Sequence, residues 1–73
     1  MPAHPDGPLR VTINQKPHAL STGATLADAV AHVGIQPPFA AAVNLQFVPR
    51  TQHATHLLQD GDRIELIAPI TGG

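Results

Sequence analysis

The chain has 73 residues, a formal net charge of −1, four Lys and Arg against five Asp and Glu, and no cysteine. That length gives one domain near the lower limit at which a core without disulfides or metal holds, burying roughly 60% of the unfolded surface, and the missing cysteine removes thiol nucleophiles, disulfide scaffolds and thiolate zinc sites together. The basic residues Arg10, Lys16, Arg50 and Arg63 are scattered and Tyr and Trp are absent, which argues against nucleic acid as a partner, and no apolar run is long enough to span a bilayer.

Residues 1–7 hold two prolines and a glycine with little that is apolar, and are expected to form a disordered extension. The domain is expected over residues 8–70. In "LRVTIN", Leu9, Val11 and Ile13 alternate with Arg10, Thr12 and Asn14, the pattern of a half-buried strand. "NQK" supplies a turn, and "PHALS" returns as a second strand. Pro17 cannot donate a ladder hydrogen bond, which places that strand's start there and the strand itself toward a sheet edge.

The next segment is helical. Thr25 and Asp28 have capping-box spacing, Leu26, Ala29, Val30 and Val33 share a face, and Gly34 stands where a helix would end. The prolines of "IQPPF" force an extended connection into "AAAVN", a short strand, and a turn at residues 44–46 leads into "FVP". "TQHATHLLQ" has no clear period and is expected as a loop with one helical turn, carrying Leu57 and Leu58 into the core. "DGD" at residues 60–62 is a tight turn, and "RIELIA" is the last strand, with Ile64, Leu66 and Ala68 on one face and Glu65 and Ile67 on the other.

This order gives an α+β domain in two layers: a mixed four- to five-stranded sheet with one main helix packed on one face. The first and last strands, the most apolar, should neighbour each other at the sheet centre. The expected core includes Val11, Ile13, Leu26, Val30, Val43, Leu58, Ile64 and Leu66.

Residues that suggest chemistry mostly have simpler readings. His53 and His56 at i, i+3 are expected as surface or packing histidines without a third ligand nearby, so no metal site is assigned. Asp60 and Asp62 belong to the turn signature. Arg50 is open between a structural role and an acidic partner surface. No nucleophile, base and orienting group stand out as a set, so no catalytic residue is assigned. The sequence closes on Thr71, Gly72 and Gly73; glycine loses the most backbone entropy on folding, so this tail is either disorder or function.

Val43-Asn44, Val48-Pro49-Arg50, Asp60-Gly61-Asp62 followed by Ile64-Glu65-Leu66, and the terminal Gly72-Gly73, in this order and spacing, resemble the sulfur carriers of thiamine biosynthesis, the ThiS family of ubiquitin-like β-grasp proteins. The likeness covers Leu9 to Gly73, and "ATLADAV" adds a weaker match at the helix start. Residues 1–7 have no counterpart in the shortest members, and His53 stands where several relatives carry tryptophan, which touches local packing.

The resemblance implies a carrier and not an enzyme. It implies a cytoplasmic protein, monomeric when free, whose Gly73 carboxylate is adenylated by a ThiF-like enzyme. Conversion to a thiocarboxylate with sulfur from a cysteine-desulfurase-type donor follows, and the sulfur passes to a ThiG-like thiazole synthase. ATP and Mg²⁺ belong to the activating partner, and this chain binds no cofactor. In that reading residues 71–73 form a flexible reactive tail, with Gly73 the attachment point and Thr71 and Gly72 threading a partner channel. At ~3.3–3.6 Å per extended residue they reach roughly 10 Å, and ordering them costs about 1–2 kcal/mol each. Docking must therefore come from the domain surface, for which Ile67 and Ile70 are the candidates. The alternatives are a small subunit of the molybdopterin-synthase type and a modifier conjugated through Gly73; an inert binding domain is a third.

Overall fold

The computed structural model describes residues 8–68. The alternation read from the first strand is realised in β1 (Leu9–Ile13), where Val11 and Ile13 are buried and Arg10 is exposed. Strand β2 (Lys16–Leu20) follows, then helix α1 (Leu26–Val33), β3 (Ala40–Val43), β4 (Gln46–Phe47), a 3₁₀ turn over Arg50–Gln52, and β5 (Arg63–Ile67). The strands form one five-stranded sheet in the order β2-β1-β5-β3-β4. β1 and β5 pair in parallel at the centre, every other pairing is antiparallel, and Pro17 lies on an edge strand as its missing donor requires.

Two hairpins build the sheet's flanks. Each turns through two residues with positive φ, Asn14 and Gln15 in one, Asn44 and Leu45 in the other. Such primed turns match the twist of the strands they join, and asparagine is among the few residues that enter the left-handed region readily.

The helix begins as the capping box indicates. The Thr25 hydroxyl accepts from the Asp28 amide at 3.2 Å, and the Asp28 carboxylate accepts from the Thr25 amide at 2.8 Å. Gly34 closes it in the left-handed conformation, φ 76°, and its amide donates to the Val30 carbonyl. The remaining first-turn amides, those of Leu26 and Ala27, donate to the carbonyls of His56 and His53. The segment without a sequence period is thus a backbone partner for the helix start, which answers the orphan-donor problem of that terminus.

The core joins one sheet face to the helix: Val11, Ile13, Leu20, Ala24, Leu26, Ala29, Ala41, Val43, Val48, Leu58, Ile64 and Leu66. Leu26 and Ile64 are fully buried, each contributing about 1.5–3 kcal/mol relative to exposure. Val30 is only half-buried, packed against this cluster from its rim. Two expectations, those for Leu57 and Ala68, are corrected. Leu57 is 64% exposed, because its backbone bridges to Thr25 while only the next side chain, Leu58, turns inward. Val33 is 37% exposed at the last turn of the helix. Ala68 is exposed, one residue past the last cross-strand pair, Ala40 with Ile67.

Replacing Leu26 with Ala should cost about 2–5 kcal/mol in a urea unfolding series. Leu57→Ser should stay within about 0.5 kcal/mol of the parent, despite standing next to a core leucine in sequence.

Candidate functional site

With the helix covering one side of the sheet, the other side is open, and the strand registers decide what it displays. Ile67 lies opposite Ala40, and Ala42 lies opposite both Glu65 on β5 and Phe47 on β4. Directly paired residues point to the same face. Ile67 and Phe47, 62% and 69% exposed, therefore flank a floor of two alanines, and Arg63, Glu65 and Thr12 continue the face toward β1. Two small side chains thus lie between two large apolar ones, with Glu65 beside Ala42.

The sequence placed Ile67 on this face, and the fold agrees. It missed Phe47. The signal was the alternation of Phe47 with Val48, one exposed and the other buried, which is hidden in a strand of two residues. Ile70, Thr71, Gly72 and Gly73 lie outside the described residues.

The strand carrying Ile67 is held on both flanks by side-chain amides. Asn14 accepts from the Leu66 amide at 2.8 Å and donates to the Leu66 carbonyl at 3.1 Å, so β1's pairing with β5 is prolonged by a side chain after its backbone has turned away. On the opposite flank Asn44 accepts from the Arg63 amide at 3.0 Å and donates to Asp62 at 3.0 Å. Buried Asp62 also accepts from the Gln59 amide at 2.8 Å, closing the turn before β5, while Asp60 accepts from the Arg10 amide at 2.9 Å. Both carboxylates are turn ligands, as the "DGD" signature implied.

His53 is a packing histidine. Its ring is buried, lies stacked on Phe39 with centroids 5.7 Å apart, and donates from Nε2 to the Val48 carbonyl at 3.0 Å. His56 serves through its carbonyl at the helix start. Arg50 is exposed and contributes its carbonyl to the 3₁₀ turn. Among the described residues no three His, Asp or Glu side chains converge on a common point, and no helix is long and apolar enough to cross a membrane.

Alongside this geometry stands a family-level similarity that runs through the final glycines: the model of the ThiS family aligns with residues 8–73. The chain belongs to the ThiS family. It is 56% identical over 34 residues to the sulfur carrier protein ThiS of Escherichia coli (strain K12), a match covering 47% of this chain and 52% of that protein, so about half the relative's length is spanned. A crystal structure of the thiamine biosynthesis protein ThiS from Geobacter metallireducens superimposes with a TM-score of 0.74, covering 89% of this chain and all of that one at 17% identity. That likeness establishes a shared ubiquitin-like β-grasp fold.

In this ThiS-family chain the Asn44–Asp62 pair should behave as one unit. Asp62→Ala is expected to cost about 1–3 kcal/mol, because the amides of Gln59 and Asn44 lose their acceptor. A double-mutant cycle with Asn44→Ala in chemical denaturation should show coupling above about 0.5 kcal/mol.

Proposed function

We propose that this chain is a sulfur carrier of thiazole formation in thiamine biosynthesis, and that its chemistry resides at the carboxylate of Gly73. The observation that carries the reading is a family match that includes Gly72 and Gly73 together with the domain preceding them. A carboxylate repels nucleophiles and lacks a leaving group. Attack of its oxygen on the α-phosphorus of ATP, with release of pyrophosphate, gives an acyl adenylate in which AMP is the leaving group. The outer sulfur of a persulfide on a cysteine-desulfurase-type donor then displaces AMP to give an acyl disulfide, and a second thiol on the partner side attacks the donor's cysteine sulfur, forming a disulfide and releasing the thiocarboxylate that thiazole synthase consumes. The chain is the substrate of these steps and supplies no catalyst to them; ATP and Mg²⁺ are handled by the ThiF-like partner.

Glycine suits both final positions. The absence of a side chain leaves the carbonyl open to attack and lets Thr71 and Gly72 thread a narrow channel. The energy to order such a tail comes from the domain, and the apolar patch of Ile67, Ala40, Ala42 and Phe47 is the surface suited to supply it. The interface is the same kind of feature for the activating enzyme and for the ThiG-like synthase, which take the carrier in turn.

Incubated with its activating enzyme, ATP, Mg²⁺ and a sulfur donor, the protein should gain the mass of one sulfur-for-oxygen replacement, localised by fragmentation to Gly73. Deletion of Gly73 should abolish the gain and leave the unfolding midpoint unchanged. Isopeptide adducts in place of a thiocarboxylate would establish the modifier reading, and no adenylate at all would remove the carrier reading. Ile67→Lys, and separately Phe47→Lys, should weaken association with the activating enzyme in titration calorimetry while the far-ultraviolet dichroism is retained; unchanged affinity in both would move docking elsewhere on the domain.

A further inference from the structure

The side of the domain away from the open sheet face holds a pair of histidines that the carrier chemistry does not use. His18, half-buried on edge strand β2, and His32, exposed in the last turn of α1, have ring centroids 5.2 Å apart with planes at 89°. Neither ring makes a hydrogen bond to any described residue, in contrast to His53, whose Nε2 is committed to the Val48 carbonyl. Two accessible imidazoles with free nitrogens, one from each layer of the fold, thus meet at the helix–sheet seam.

We propose that His18 and His32 form a two-imidazole site for a divalent transition cation, with Zn²⁺ the ion that fits best. At a metal–nitrogen distance of about 2.0–2.1 Å and roughly 1.1 Å from nitrogen to ring centre, two imidazoles on a tetrahedral ion have their centroids about 5 Å apart. The observed separation lies near that value, and the edge-to-face arrangement means that the exposed His32 ring must reorient to bring a nitrogen of each ring onto one ion. Water completes the coordination, since no third His, Asp or Glu joins the pair among the described residues. The charged neighbours on the two elements oppose each other. Lys16 lies on the same face of β2 as His18 and lines the same groove, while Asp28 stands one helical turn before His32 with its carboxylate engaged by the Thr25 amide. Binding fastens the helix C-terminal end, the part that carries exposed Val33, to the sheet edge.

The test is Zn²⁺ alone, titrated calorimetrically into the full-length protein in a non-chelating neutral buffer. One saturable equivalent is expected, and the ring-proton resonances of His18 and His32 should shift together in the wild-type protein. His18→Asn and His32→Asn should each weaken binding by about tenfold or more, since each removes one of two protein ligands. His4→Ala and His56→Ala should bind as the parent does. The proposal is overturned by the absence of saturable binding, by binding that survives either Asn substitution, or by a wild-type spectrum in which the shifted rings are those of His4 or His56.

Discussion

Everything in this small domain depends on keeping β5 in the middle of the sheet. Its Ile64 is fully buried, its two backbone edges face β1 and β3, and its outer face carries Ile67. A strand of five residues flanked by short neighbours has few ladder bonds to spare. Both hairpin turns meet this shortage in the same way: the asparagine that bends the chain also turns its amide onto β5, Asn14 at Leu66 and Asn44 at Arg63 and Asp62. A residue chosen for its tolerance of positive φ thereby becomes a cross-strand ligand. Glycine would make the turns equally well and would lose the clamps.

Once β5 is central, the two faces of the sheet divide the work. The inner face is spent on the core with α1, which is all that a chain of this length can cover with one helix. The outer face remains available, and the close register of β3 against β5 and β4 puts two alanines between Ile67 and Phe47. The alanines keep the apolar side chains of Ile67 and Phe47 uncovered, with Glu65 beside them. Under the proposed function, docking on this face and chemistry at the terminal carboxylate fall on different residues, so affinity and reactivity can be tuned separately.

The helix illustrates the reverse dependence, of a local element on distant backbone. Its capping box satisfies the Asp28 and Thr25 amides, but those of Leu26 and Ala27 are satisfied by His56 and His53. The loop that supplies these carbonyls is itself held by the stack of His53 on Phe39, by the bond from His53 to Val48 and by burial of Leu58. Helix start, loop and the strand ending at Phe47 therefore form one cooperative corner.

The sequence by itself determined the order of elements, the helix from Leu26 to Val33 with both its caps, the edge position of the Pro17 strand, the turn role of Asp60 and Asp62, and most of the core, because each rests on interactions within a few residues or on a period of two or 3.6. It also carried the outward direction of Ile67 and the family resemblance of the chain. The tertiary structure alone decided the rest: that Phe47 joins Ile67 across β3, that Leu57 stays outside while Leu58 goes in, that Asn14 and Asn44 clamp β5, and that His18 and His32 meet. These are relations between strands and layers far apart in the chain, set by hydrogen-bond register and by the helix's position on the sheet. Neither quantity has a local signature, since a shift of one residue in register would send every side chain to the opposite face without altering a single letter of the sequence.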